Sequence, residues 1–212
     1  MNQRVDNTII RQFARLLVFS TNDWDEDMES KIKTFFSFGL NFLKNPLRNA
    51  SIMPSSQFAS RAILHGVDFS HIDTIVELGP GTGVLTEEIL KRCRPNTKIL
   101  LIEIEKSYAK TLQNRYGDRV IVENKSAHLL GDILKKHGMN KADLIISGLP
   151  FLPKEMKDEL FNSIKQHTNR GAIFRFFTYM PPIMKQIYKD LPIRKISFVL
   201  RNFPPVWIYG IN

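Results

Sequence analysis

Cysteine is all but missing from this chain: Cys93 is the only one in 212 residues. One thiol excludes an intrachain disulfide and any multi-cysteine metal centre, so Cys93 is expected on a core or helix face. The five histidines, His65, His71, His128, His137 and His167, show no ligand spacing; solvated or capping roles are expected for each, and no metal is expected. No apolar run approaches the ~20 residues needed to span a bilayer. Arg4, Asp6, Arg11 and Arg15 interrupt the N-terminus where a signal peptide needs an apolar stretch. Repeats and low-complexity linkers are absent too. A cytoplasmic location is expected, and the 43% hydrophobic content suffices for one core and one appendage.

Acid is the scarcer charge. The formal net charge is +9, which points to an anionic partner, nucleic acid or membrane surface. Five acids crowd residues 23–29 (Asp23, Asp25, Glu26, Asp27, Glu29), whereas residues 31–50 carry Lys31, Lys33, Lys44 and Arg48 and no acid. The final third is basic as well, with Lys165, Arg170, Arg175, Lys185, Lys189, Arg194, Lys195 and Arg201.

What is there is a glycine loop. Ile75-Val76-Glu77-Leu78 is an apolar strand that breaks into Gly79-Pro80-Gly81-Thr82-Gly83 and resumes as the helical Val84-Leu85-Thr86-Glu87-Glu88-Ile89-Leu90. Glycines are needed where backbone turns sharply and approaches a ligand. A dinucleotide fingerprint, G-x-G-x-x-G, needs its third glycine at position 84, which is Val84. The spacing is instead E-x-G-x-G-x-G, which closely resembles that of class I S-adenosylmethionine-dependent methyltransferases. The next strand, Lys98 to Ile102, ends in Glu103 about 20 residues beyond the loop, where a carboxylate can accept both ribose hydroxyls. Where that family often reads the adenine amino group with an acid after the third strand, this chain has Ser126, followed by Ala127, whose neighbouring backbone is the alternative.

Strands are expected near 73–78, 98–103, 119–123, 142–147, 171–178, 195–201 and 205–211, with helices between. This pattern predicts a doubly wound α/β fold, a seven-stranded mostly parallel sheet whose last two strands form a hairpin at the edge, turned by Pro204-Pro205. Ligands of such sheets bind beyond the carboxyl ends of the strands, which gathers residues 79–83, Glu103, Ser126 and the loop after residue 147 into one crevice. The expected division is an N-terminal helical segment, 1–50, and a catalytic domain, 51–212. A short amphipathic helix is expected around Ile9 to Phe19.

Within the N-terminal segment, Ile32, Phe35, Phe36, Gly39, Phe42 and Leu43 form a stripe at helical period, opposite Lys33, Thr34, Ser37, Asn41 and Lys44. Such a stripe taken alone more often marks internal packing or a dimer face; its broad Phe/Leu face with basic flanks also suits an interfacial helix.

Four segments then share one resemblance: Asn45-Pro46-Leu47 through Pro54-Ser55-Ser56, Ser147-Gly148-Leu149-Pro150, Phe177-Thr178-Tyr179, and Asn202-Phe203-Pro204-Pro205. In this order they are similar to the "NPL…PSS", "SGLP", "FTY" and "N-x-PP" segments of bacterial phospholipid N-methyltransferases, from about residue 35 to the C-terminus. The resemblance implies methyl transfer from S-adenosylmethionine to phosphatidylethanolamine, a step of phosphatidylcholine biosynthesis, by a monomer bound peripherally to the inner face of the cytoplasmic membrane. With it, the helix at 31–44 is expected to dock on the membrane as a lid over the cofactor site. The resemblance also places Glu77, Gly79, Gly81, Thr82, Gly83, Glu103, Ser126 and Ala127 around the cofactor. Ser55 and Ser56, which default to helix capping, would also approach the methionine carboxylate. Ser147, Leu149, Pro150 and Tyr179 fall on the acceptor amine. Ornithine lipid is the alternative acceptor, and an RNA-adenine dimethyltransferase shares the glycine loop and Glu103. That RNA reading is disfavoured because residue 147 is not the amide acceptor that a base amine wants. A lipid-binding module that has lost activity is a third reading, for which Ser126 is the support.

Overall fold

The structure, a computed structural model, describes residues 55–149, 154–179, 181–202 and 205–212. The expected helices at 9–19 and 31–44, the segment 45–54, Pro150 and Phe203-Pro204 lie outside the described residues. Those described belong to one compact unit, Met53–Asn212.

Seven strands make one sheet in the order β3-β2-β1-β4-β5-β7-β6. Their bounds are β1 Thr74–Leu78, β2 Lys98–Ile102, β3 Ile121–Glu123, β4 Leu144–Ser147, β5 Ile173–Thr178, β6 Arg194–Val199 and β7 Val206–Ile211. The first five run parallel, and β7 is antiparallel to both neighbours. β1 and β4 are buried at every residue, which is why they read as unbroken apolar runs: helices cover both faces of a parallel sheet. The expected hairpin forms, but with β7 inserted against β5 and β6 outermost. A register shift between Lys195 and Ser197 marks a bulge in that outer strand.

The helices are α1 Ser55–Ile63, α2 Val84–Leu90, α3 Lys106–Tyr116, α4 Leu130–Lys136, α5 Lys154–Thr168 and α6 Pro181–Ile187. α1 starts two residues before the expected Gln57 and takes Ser55 and Ser56 into its first turn. Strand alternation divides the core. Ile75, Ile99, Leu101, Leu144 and Ile146 pack with Ile63 of α1 and Ile89 of α2, while Val76, Leu78, Leu100, Ile145, Phe174 and Phe176 pack with residues of α4 and α5.

Arg175 breaks this apolar pattern. Only 2% exposed, it projects from the middle of β5 towards α1, where its Nη1 donates to the carbonyls of Ile63 and His65, both at 2.7 Å. Carbonyls left over at a helix end suit a cation. Its Nη2 donates to Asn212 Oδ1 at 3.2 Å. Gly210 makes the crossing possible: it pairs with Arg175 across the strands, and a Cβ there would overlap the Phe174 carbonyl oxygen and lie 3.0 Å from Arg175 Cγ.

Two expectations are corrected here. Among the described residues His167 is neither solvated nor a cap: it is buried and accepts the Ala142 N–H through Nδ1 at 3.2 Å, and burial, then Arg170, holds its pKa below the ordinary value. Strand β3 begins only at Ile121, because residues 117–119 form a 3-10 turn. Gly210→Ala should force β5 and β7 apart and destabilise the fold by roughly 3 kcal/mol, as overpacking does. Thermal unfolding measures it, and an unchanged midpoint would refute the close approach.

Candidate active site

At the carboxyl ends of β1 and β2 the chain builds a cradle from backbone. Gly79, Gly81 and Gly83 all have left-handed backbone, with φ of 70°, 55° and 83°. Their surroundings differ. A Cβ on Gly79 would lie 2.9 Å from Leu149 Cδ2, and one on Gly83 would lie 2.8 Å from Leu112 Cδ2 and 3.0 Å from the Tyr116 hydroxyl. These two glycines are closed in by protein. A Cβ on Gly81 would meet nothing within 4 Å, so the middle glycine opens onto space where a ligand can touch backbone. Thr82 beside it is half-buried.

Glu103 binds this loop to the next. Its Oε2 accepts the Gly81 N–H and its Oε1 the Glu105 N–H, both at 2.9 Å. Each carboxylate oxygen keeps a further lone pair, the acceptor capacity that two ribose hydroxyls need. The following Ile104 is 71% exposed, an apolar face of the kind an adenine ring covers. Asn124 steadies the turn, donating to the Glu103 carbonyl at 2.8 Å and the Ile104 carbonyl at 2.9 Å. Tyr116, from α3, donates to the Gly83 carbonyl at 3.0 Å. Sequence reasoning passed over Ile104, Asn124 and Tyr116. Only Ile104 left a signal, as the lone apolar residue between two acids.

Glu77 lies beneath the cradle. Alternation along β1 turns it towards α2, where it is 1% exposed and accepts from Thr86 Oγ1 at 2.7 Å. Burial, with a smaller contribution from the Glu103 charge, pushes its carboxyl up to about 7 against the lowering pull of Thr86. Ser126 follows β3, half-buried, its hydroxyl 2.8 Å from His128 Nδ1. Ala127 is 5% exposed and packs in the core.

The loop after β4 lies directly against the glycine cradle. Gly148 N donates to the Leu78 carbonyl at 2.8 Å, and a Cβ on Gly148 would come within 3.0 Å of the Gly79 carbonyl oxygen. Leu149, half-buried, leans on Gly79. Ser147 is 1% exposed; its hydroxyl accepts the Leu149 N–H at 3.3 Å and pairs with the Tyr188 phenol. Tyr188, not singled out in the sequence, is fixed by ring stacking on Phe176 at 4.3 Å and Phe161 at 4.6 Å. Its burial pushes the phenol well above the usual range. Tyr179, at the end of β5, is 37% exposed and receives Asn202 Nδ2 at 3.5 Å. Sequence-distant residues 79–83, 103, 126, 147–149 and 179 thus share one rim of the sheet. Pro150 and the side chains of Ser55 and Ser56 lie outside the described residues. Cys93 stays away from this rim, half-buried and accepting from Arg119 Nη2 at 3.1 Å. Among the described residues no cluster is arranged to hold a metal ion.

This strand order and the two opposed loops define a class I S-adenosylmethionine-dependent methyltransferase. The profile of the ribosomal RNA adenine dimethylase family matches residues 31–186, and the chain belongs to that family. It is 32% identical over 185 residues to the ornithine lipid N-methyltransferase of Singulisphaera acidiphila, covering 84% of this chain and 95% of that protein. It is also 32% identical to a probable dimethyladenosine transferase of Dictyostelium discoideum, over 54% of this chain and 32% of that protein. Among solved structures, Aeropyrum pernix fibrillarin with bound S-adenosyl-L-methionine superposes with a TM-score of 0.56 at 16% identity, over 73% of this chain and 76% of that one. A methyltransferase from Aquifex aeolicus gives 0.52 at 16% identity, over 78% and 97%. At these identities the superpositions speak for the fold alone. The cofactor is S-adenosylmethionine, and the open Gly81 backbone, the Glu103 carboxylate and exposed Ile104 fit its nucleoside.

Two outcomes follow. Glu103→Ala should weaken S-adenosylmethionine binding more than tenfold, about 1.5–3 kcal/mol, with the fold intact; equal affinity by calorimetry would remove Glu103 from the site. The Glu77 carboxyl holds its proton in the folded chain up to about 7 but only to the ordinary 4.5 when unfolded. Its stabilising contribution is therefore complete below about 4.5 and lost as pH rises through about 7. Without cofactor, Glu77→Gln should raise the melting temperature relative to wild type at pH 8.5 (a test value, roughly) and by much less near pH 5. A gain independent of pH would show that burial does not shift this group.

Proposed function

We propose that the chain transfers methyl groups to the primary amine of a membrane aminolipid, with ornithine lipid the first acceptor to test and phosphatidylethanolamine the second. One observation carries this reading: the ornithine lipid enzyme is covered over 95% of its length, the dimethyladenosine transferase over 32%. The site agrees. Where an RNA base amine calls for an amide acceptor and a stacking ring, residues 147–149 offer a buried hydroxyl, bare backbone and Leu149.

When bound, S-adenosylmethionine supplies a methyl group on a cationic sulfur. Glu103 would hold the ribose hydroxyls, the open Gly81 backbone would touch the neighbouring part of the cofactor, and Ile104 would cover its adenine face. The glycine contact between residues 79 and 148 sets how closely the acceptor approaches, and such positioning is the main source of rate for a transfer of this kind. The Ser147 hydroxyl and neighbouring backbone orient the amine, whose lone pair must face the methyl. Tyr188 is a positioning residue: its phenol stays neutral and fixes the Ser147 hydroxyl. Tyr179 presents a ring face to the ammonium that forms as methyls accumulate. Burial also raises the Tyr179 phenol, so neither tyrosine is a base near neutral pH, and the amine proton leaves through the open rim to water.

The expected site of action is peripheral, on the inner face of the cytoplasmic membrane; no described helix is long and apolar enough to cross one. Purified enzyme with labelled cofactor should be offered vesicles of ornithine lipid, vesicles of phosphatidylethanolamine, and ribosomal RNA. Label should enter a lipid extract, and Tyr179→Ala should lower turnover roughly tenfold while leaving cofactor affinity unchanged. Label in RNA alone would establish the dimethyladenosine transferase reading instead.

A further inference from the structure

The turn end of the β6–β7 hairpin exposes apolar groups that no part of the site uses. Leu200 is 72% exposed, Phe198 42% and Phe58 of α1 37%. Phe198 packs on Trp207 across the strands with ring centroids 4.7 Å apart. The Arg201 guanidinium lies 6.0 Å from the Phe58 ring centroid, joining the hairpin turn to α1. Alternation turns Phe198 and the half-buried Trp207 to the face away from α1, while Arg201 meets Phe58 on the α1 side. The exposed apolar groups thus flank both sides of the hairpin end, an uncommon surface for a chain that stays in water.

Charge says what could cover it. From Leu191 to Asn212 the sequence contains Arg194, Lys195 and Arg201 and no acid, and α1 contains Arg61 and no acid. Apolar side chains with cations and no carboxylates match the boundary of an anionic bilayer, where rings and leucines enter the acyl edge and arginine meets phosphate. Position agrees with charge. β6 runs parallel to β5, so residues 199–202 lie on the rim that bears Tyr179, and Asn202 of the turn hydrogen-bonds to the Tyr179 hydroxyl.

We propose that the end of this hairpin, with Leu200 and Phe198 over the half-buried Trp207 on one side and Phe58 with Arg201 on the other, docks on the anionic membrane and sets the acceptor rim against it. The proposal rests on the aminolipid reading and deepens it: lipid need not leave the bilayer far to reach Tyr179. It also adds a contact separate from the helix expected at 31–44.

The chain has two tryptophans, Trp24 and Trp207, so Trp24→Phe makes Trp207 the sole indole reporter. Mixed with vesicles of brominated phosphatidylglycerol, this variant should lose Trp207 fluorescence, and added salt should restore it. In the wild-type background, Leu200→Asp should lower sedimentation with phosphatidylglycerol vesicles roughly tenfold; Leu200 is exposed, so the fold should tolerate the change. Unquenched Trp207 in protein that sediments with the vesicles would overturn the proposal and give the patch another occupant, such as the N-terminal segment. Failure of wild type to sediment would overturn it too, as would shielding of Trp207 by an RNA oligonucleotide alone. The two readings fail separately. Quenching without methylation of any lipid keeps the surface and removes the aminolipid acceptor; methylation of detergent-dispersed lipid without quenching does the reverse.

Discussion

The Glu103 carboxylate is the joint on which the cofactor side of this protein depends. β1 and β2 are parallel neighbours, so their carboxyl ends bring two loops side by side, each with N–H groups that strand pairing leaves unmatched. One buried carboxylate accepts from both, Gly81 on one side and Glu105 on the other. Charge-assisted bonds of this kind are among the stronger ones a fold can make. They hold the middle glycine in place where backbone must stand open. Tyr116 clamps the far end of the same loop and Leu149 fills the near end, so the open position at Gly81 is framed by closed ones. Cradle geometry is thus preset by protein contacts, and ligand binding need not order it.

The two faces of the sheet support this rim by different means. Towards α1 and α2 the sheet buries two ionisable groups, Glu77 and Arg175, each served by neutral hydrogen-bond partners: a threonine hydroxyl for the acid, carbonyls and an amide for the base. Burying charge in this way is costly, and it ties secondary elements together where apolar packing alone would let them slide. On the opposite face the same end of the sheet is held by rings, Phe161, Tyr188 and Phe176 stacked in succession, and this stack delivers a phenol to Ser147.

Much of this could be read from the chain. The parallel strands announce themselves as apolar runs, the E-x-G-x-G-x-G spacing separates this cofactor loop from a dinucleotide one, and Glu103 falls at the strand end where ribose is held. These signals are local, so periodicity and spacing carry them. Contacts across long stretches of sequence are not local. Nothing around Tyr116 tells that its hydroxyl closes on Gly83, 33 residues earlier, and Arg175 reaches Ile63 over 112 residues. His167 looked like an exposed polar residue at the end of a helix, yet the loop before β4 brings the Ala142 N–H to it. The outermost place of β6 was hidden for a similar reason: a hairpin fixes which strands are neighbours but not which of the two meets β5.

That placement decides how the sheet ends. An outermost strand presents unpaired N–H and C=O groups, a template onto which another chain can add. One edge here is β3, only three residues long. The other is β6, which opens with Arg194 and Lys195 and is broken by the irregularity before Ser197. Short length at one side, and cations with a bulge at the other, deny both edges the long flat register that strand addition requires. The seven-stranded sheet is thereby kept from adding an eighth strand.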